Sequence, residues 1–117
     1  MILDPTIHLQ MALTASASVS DPEYHIVYID YTPDAKLAVP LMTRGELNNA
    51  VDVTVLSAPV NNQSREIQEI SIYNKDSQDN TVTVKTDDGT TERILVQQAI
   101  SAGRSLTWGK HFGWVTV

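Results

Sequence analysis

Apolar and polar residues alternate along most of the chain in short runs that turn residues separate, a pattern typical of β-strands. In the clearest run, residues 6–14, polar or small side chains occupy one face, and the other face is apolar: Ile7, Leu9, Met11 and Leu13. This period of two predicts a half-buried strand. Residues 25–31 are apolar on both faces, as expected of a strand that is central in a sandwich or covers a partner.

The alternation returns in residues 51–56 and again in residues 65–74. In the second of these runs Ile70 and Ile72 share the predicted inner face, whereas Ile67 is out of phase with them. One extra residue in a strand restores such a phase, so we expect a β-bulge near Gln68 and Glu69.

A hairpin is predicted around Asp87-Asp88-Gly89, which separates strand-like residues 81–86 from strand-like residues 91–96. Asp-Gly between two such runs is a strong hairpin signal because both residues tolerate a positive φ. Two short strands, residues 105–108 and 113–117, are expected to end the domain.

Residues 32–50 are the least regular part of the chain, since Pro33, Pro40 and Gly45 interrupt them and no period survives. We expect an irregular connecting segment there, a length of loop that is often functional. Residues 1–5 have two interpretations: a disordered terminus, which is the commoner case, or an N-terminal arm that reaches a neighbour.

Together these patterns predict an all-β fold in which residues 1–117 form a single domain. The expected architecture is a sandwich or a jelly-roll-like barrel of about eight strands, without a helix. Three aromatic residues are expected to close one end of the core, because aromatic side chains bury the largest areas: Trp108, Phe112 and Trp114.

Charge and composition exclude several classes of protein. The 117 residues include 14 acidic and 8 basic side chains, and this net charge of −6 argues against nucleic-acid binding, which requires a basic face. The absence of cysteine excludes disulfides, thiol catalysis and cysteine-ligated zinc. No apolar run approaches ~18 residues, so we expect no membrane span, and the N-terminus lacks the basic region of a secretory signal.

Motifs for catalysis or metal binding are lacking. His8, His25 and His111 do not occur at the spacing of a local metal motif, and no G-x-S-x-G or glycine-rich phosphate loop is present. The adjacent Asp87 and Asp88 could ligate calcium, but a hairpin turn explains them without a metal. We therefore expect no catalytic residue, no cofactor and no metal, so the protein is predicted not to be an enzyme. Two arrangements would leave no local motif in the sequence of one chain: a catalytic triad assembled in space and a metal at a symmetry axis.

The chain has more apolar side chains than one core-facing side of a sheet needs, and this surplus is the best indication of function. Such a surplus indicates a partner, often a second copy of the chain. The predicted partner contacts are Tyr24, Tyr28, Tyr31, Leu37 and Met42. The alternative is that the irregular segment folds over this apolar face and completes the core.

Three segments of the second half carry a resemblance to a known class of protein. They are R-E-I-Q-E-I-S-I-Y-N-K-D at 65–76, T-V-T-V-K at 81–85 and T-E-R-I-L-V at 91–96. An aromatic-glycine tail follows, with Trp108-Gly109 and Gly113-Trp114. This half resembles small virion proteins of tailed bacteriophages over most of residues 64–117, and residues 7–31 do so more weakly. Residues 33–50 do not match that pattern.

The resemblance implies a structural role in a virion, as a capsid decoration (cement) protein. Such a protein binds the outer surface of the shell of major capsid protein and reinforces it, often as a dimer or trimer. The expected location is the virion, with neither nucleic acid nor membrane as a partner. Two alternatives are a tail, neck or fibre-base module and a carbohydrate-binding module, in which Trp108, Phe112 and Trp114 would stack on sugar rings. Since Trp108 shares the face of Leu106, we favour the core for these aromatics.

Overall fold

The computed structural model describes residues 1–34, 38 and 40–117. These residues form ten strands and no helix. The strands are β1 (Ile2–Leu3), β2 (His8–Leu13), β3 (Glu23–Tyr31), β4 (Pro40–Glu46), β5 (Val53–Leu56), β6 (Ser64–Tyr73), β7 (Asn80–Asp87), β8 (Glu92–Ile100), β9 (Ser105–Gly109) and β10 (Gly113–Thr116). The predicted all-β fold is confirmed, as a sandwich; β1 and β4 are additional to the eight or so strands that the sequence predicts.

Two antiparallel sheets form the sandwich. The first sheet has the order β10-β9-β6-β3-β4, and the second sheet has the order β5-β2-β7-β8. β6 is the central strand of the first sheet because β3 pairs along one side of it, while β1 and β9 share the other side.

The core lies between the sheets and consists of the inward-facing side chains of both. Alternate residues of β2 and β7 supply the second sheet's share, and alternate residues of β3 and β6 supply most of the first sheet's share. The largest fully buried side chains are Leu3, Leu9, Met11, Ile26, Leu47, Ile67, Ile70, Ile72, Ile100, Leu106, Val82 and Val84. This period-two burial is what the alternating sequence predicts.

The predicted bulge in β6 is confirmed. Val27 of β3 pairs with Glu69, and the next residue, Tyr28, pairs with Ile67, so Gln68 is the extra residue. The bulge lets Ile67 and Ile70 both point into the core although three positions separate them.

The predicted hairpin between β7 and β8 is also confirmed. Gly89 has a φ of 88°, and Asp88 Oδ1 accepts hydrogen bonds from the N–H groups of Thr91 (2.7 Å) and Thr90 (2.9 Å). These bonds lower the pKa of Asp88. The backbone N–H groups therefore occupy the Asp88 carboxylate, in agreement with the turn interpretation of this aspartate pair.

Two expectations about irregular segments need correction. Residues 40–46, within the predicted irregular segment 32–50, form the edge strand β4, which pairs with β3 from Ile29–Pro40 to Glu23–Glu46. An edge strand tolerates a proline at its first residue and a poor period, because only one side of it is paired. The N-terminal residues are not a free arm, since Ile2 and Leu3 pair with β6 and Leu3 is fully buried.

A buried polar cluster joins the loops at one end of the sandwich. We call Asn74, Asp76 and Asn80, which lie after β6 and at the start of β7, the Asp76 cluster. The Asp76 carboxylate is 4% exposed and accepts hydrogen bonds from Asn80 Nδ2 and from three backbone N–H groups of the β2–β3 loop. These loop donors are Ser18 (2.8 Å), Val19 (2.8 Å) and Ser20 (3.2 Å).

Asn74 extends the cluster to the β8–β9 turn. Its Nδ2 donates to the carbonyls of Ile100 (2.8 Å) and Gln78 (2.9 Å), and its Oδ1 accepts from Asn80 Nδ2 (3.0 Å). The hydrogen bond from Asn80 and those from the β2–β3 loop hold the pKa of Asp76 far below its ordinary value of 3.8. The carboxylate is therefore charged in the folded domain.

We predict that Asp76→Asn lowers the melting temperature by roughly 10 °C, because an amide cannot accept all the hydrogen bonds that the carboxylate accepts. The folded-state pKa of Asp76 is depressed, so its contribution is complete above pH 3.8 and is lost as the pH falls below that value. The difference in melting temperature between the wild type and Asp76→Asn should therefore shrink from pH 7 to pH 2. Thermal unfolding followed by circular dichroism measures this difference. The control is Asp79→Asn in the same loop, an exposed residue, and a difference that is constant with pH would contradict the prediction.

Candidate partner-binding face

The outward side of β3 and β4 carries an apolar patch. Paired residues of neighbouring antiparallel strands point to the same side of a sheet. Val27 pairs with Met42 and Ile29 pairs with Pro40, and all four lie on the side that faces away from the core. Met42 is 57% exposed, while Val27 and Ile29 are partly exposed. We call the outward side chains of these strands the β3–β4 face: His25, Val27, Ile29, Tyr31, Pro40, Met42 and Arg44.

Charged groups border the β3–β4 face at one end. Lys75 Nζ lies between the carboxylates of Glu46 (2.7 Å) and Glu23 (3.0 Å), so it connects β3 to β4 across their paired ends. These carboxylates, Glu46 first, raise the pKa of Lys75. Ion pairs this exposed contribute little stability, but they fix where the apolar patch ends.

At the other end of the face, Tyr31 lies beside Glu66 of β6, which is tied to the β9–β10 turn. Glu66 accepts a hydrogen bond from Lys110 Nζ at 3.2 Å. Glu66 raises the pKa of Tyr31, while Lys110 and then Tyr31 lower the pKa of Glu66. Tyr31 and Glu66 thus interact at the margin of the face.

Beneath the face, an arginine fixes the end of β3. Arg65 of β6 makes two parallel hydrogen bonds to the Asp30 carboxylate, at 2.7 Å from Nε and 3.1 Å from Nη2. A third N–H donates to the Ser57 carbonyl at 2.7 Å, and the guanidinium lies 4.8 Å from the centre of the Tyr28 ring. Asp30 raises the pKa of Arg65, and the arrangement combines a bidentate pair with a cation–π contact.

The structure divides the predicted partner contacts. Tyr31 and Met42 lie on the β3–β4 face, whereas Tyr28 points to the opposite side of β3, where it packs against the core and beneath Arg65. Tyr24 requires a correction, because only 8% of it is exposed and it packs into the core. Its ring covers Gly45 of β4, where a Cβ would lie 2.6 Å from the Tyr24 hydroxyl oxygen. Leu37 lies outside the described residues.

The C-terminal aromatics do not form a flat exposed platform. Trp108 and Trp114 are paired across β9 and β10 and pack against the core, with ring centres 6.4 Å apart and planes tilted by 51°. Phe112 differs from them, since it is 61% exposed and its ring lies over Gly109. The two tryptophans therefore pack against the core, as predicted, whereas Phe112 lies on the surface.

Comparisons with known proteins give no relative. No family model, no curated protein and no solved structure matches the chain. Among residues 1–34, 38 and 40–117, no three His, Asp or Glu side chains are grouped so that they could hold a metal ion. The same residues contain no helix that could cross a membrane.

Sequence reasoning missed the groups that support this face. Arg65 and Asp30 are 35 residues apart and become neighbours only through the pairing of β3 with β6. Gly45 interrupts the sequence pattern, yet in the structure it makes room for the Tyr24 ring within a strand. No local sequence signal reports either contact, because both depend on strand register.

We predict that Arg65→Lys lowers the free energy of unfolding by about 1–2 kcal/mol, because lysine cannot combine the bidentate pair with stacking on Tyr28. Arg44→Lys is the matched control on the exposed side of β4 and should cost under about 0.5 kcal/mol. Urea unfolding of both variants measures the difference. Equal stability of the two variants would contradict a structural role for the Arg65 contacts.

Proposed function

We propose that the protein is a capsid decoration protein of a tailed bacteriophage, which binds the outer surface of the assembled major capsid protein through the β3–β4 face. The observation that carries this proposal is the apolar patch of Val27, Ile29, Pro40 and Met42 on the outward side of a sheet. The first sheet needs this side neither for its own core nor for strand pairing. The resemblance of residues 64–117 to small virion proteins supports the same assignment.

The physical properties of the face suit attachment to a preformed surface. β3 pairs on both sides, and Arg65 fixes its end through Asp30, so this part of the patch loses little conformational freedom on binding. Preorganisation of this kind reduces the cost of association. Met42, with its flexible thioether side chain, can adapt to irregular partner surfaces.

Attachment to many equivalent sites would reinforce the shell by mass action. A protein that binds the assembled shell but not its dissociated subunits lowers the free energy of the assembled state. Individual contacts can be weak, because a repeating lattice or an oligomer raises the effective concentration of the remaining sites. This mechanism requires a rigid domain with a fixed apolar patch and no chemistry.

The number of copies per virion tests the assignment directly. Quantitative mass spectrometry of purified virions should give a ratio to the major capsid protein near one or near a simple fraction. A few copies per particle would instead favour a tail, neck or fibre-base module. Absence of the chain from virions would overturn both assignments.

We predict that Met42→Glu weakens binding to undecorated shells at least tenfold, because a carboxylate would then be desolvated in the middle of the contact. Val60→Glu is the matched control, since Val60 is 65% exposed in the β5–β6 loop and lies off the face. Co-sedimentation of each variant with purified shells measures the affinity, and circular dichroism confirms folding. Equal binding of both variants would place the contact elsewhere.

A further inference from the structure

The outer strands of the two sheets differ in how well their free edges are protected. β5 and β10 have only four residues each, and β4 begins with Pro40 and carries Arg44, Gly45 and Glu46. Short strands, prolines and charges are the usual devices that stop an edge from pairing with another chain. β8 has nine residues, with neither proline nor glycine, and its seven residues from Ile94 to Ile100 carry no charge. Its β-bulge, at Leu95, leaves the five residues from Val96 to Ile100 as a regular free edge.

The register of the second sheet shows which backbone groups of β8 point outward. Thr14 N–H donates to the carbonyl of Thr81 at 3.0 Å, so the polar backbone groups of Thr81 point toward β2. On the other side of β7, Thr81 faces Ala99 of β8. These two residues therefore form a non-hydrogen-bonded pair, and the N–H and C=O of Ala99 point away from β7. The same alternation applies two residues earlier, at the pair of Thr83 with Gln97.

The free edge thus presents the backbone groups of Gln97 and Ala99. Among the described residues, one side chain forms a hydrogen bond with these groups, since Gln98 Nε2 donates to the Ala99 carbonyl at 3.2 Å. A polar groove runs along this part of β8 and is lined by Gln98, Ala99, Ile100 and, across it, Thr116 of β10. Ile94 and Leu95, in the first half of the strand, are 65% and 38% exposed.

We propose that β8 is a self-association edge, at which two copies of the chain pair their β8 strands antiparallel about a two-fold axis at Gln98. In this register Gln97 of one copy faces Ala99 of the other, and the reverse. Both residues have outward-pointing N–H and C=O groups, so the two pairs form four backbone hydrogen bonds. The interface is isologous, and the second sheets of the two copies become one continuous sheet.

The side chains fit a second copy in this register. Val96 lies opposite Ile100 on the core-facing side, which extends the apolar layer from one copy to the other. Ile94 and Leu95 extend toward the small residues of the turn that follows β8, Ser101, Ala102 and Gly103.

The paired segment is short, so we expect a weak dimer, with a dissociation constant of about 10–1000 µM. Sedimentation velocity from about 5 µM to about 1 mM should show a concentration-dependent approach to twice the 12.9 kDa of one chain. Amide exchange should slow at Gln97 and Ala99 as the concentration rises. A strictly monomeric chain throughout this range would overturn the proposal, and so would a trimer, because edge pairing about a two-fold axis makes only dimers.

Two variants locate the contact. Gln98→Lys places two ammonium groups together at the axis and should weaken the dimer at least tenfold, whereas Asn61→Lys, in the exposed β5–β6 turn, should not. Ala99→Pro removes an N–H that has no partner within the chain, so it should prevent pairing and leave the circular dichroism spectrum native. Dimers that persist in both folded variants would overturn the proposal. Since these experiments use no capsid, their outcome is independent of the proposed attachment to a shell.

Discussion

A carboxylate with almost no solvent exposure requires hydrogen-bond donors around it, and this requirement organises one end of the sandwich. Asp76 receives its donors from the β2–β3 loop and from Asn80, while Asn74 binds the carbonyl of Ile100 at the end of β8. Each of these loops connects one sheet to the other. The Asp76 cluster is therefore the common anchor of these connections. Its donors are needed because an unpaired buried charge costs more free energy than a lost contact.

The strand order determines which strands are left at the edges. β6 lies at the centre of the first sheet and β7 lies between β2 and β8 in the second. β6 is therefore paired on both sides, and its bulge keeps both halves directed into the core. β4 and β8 are left with one unpaired side each.

Strands with one buried face could be predicted from the sequence, because period-two alternation is a local signal. Residues 6–14, the bulge after Ile67 and the hairpin at Gly89 all carry such a signal and are confirmed. β4 carries none, because an edge strand that is exposed on both faces has no apolar period to display. The placement of Tyr24 could not be predicted either, since its burial depends on Gly45, a residue that is adjacent only in the folded sheet.

The two proposed surfaces have a fixed geometric relation. A two-fold axis that continues a sheet from one copy to the next is perpendicular to that sheet. Rotation about this axis keeps the first sheets of both copies on the same side of the continuous second sheet. Pairing at β8 therefore directs the β3–β4 faces of both copies to the same side of the dimer. Two apolar patches on one side can bind two equivalent sites of a flat repeating surface at once. In the proposed attachment the second contact would form at the effective concentration that the first one sets, so a weak dimer and a weak patch together would bind more strongly than either alone.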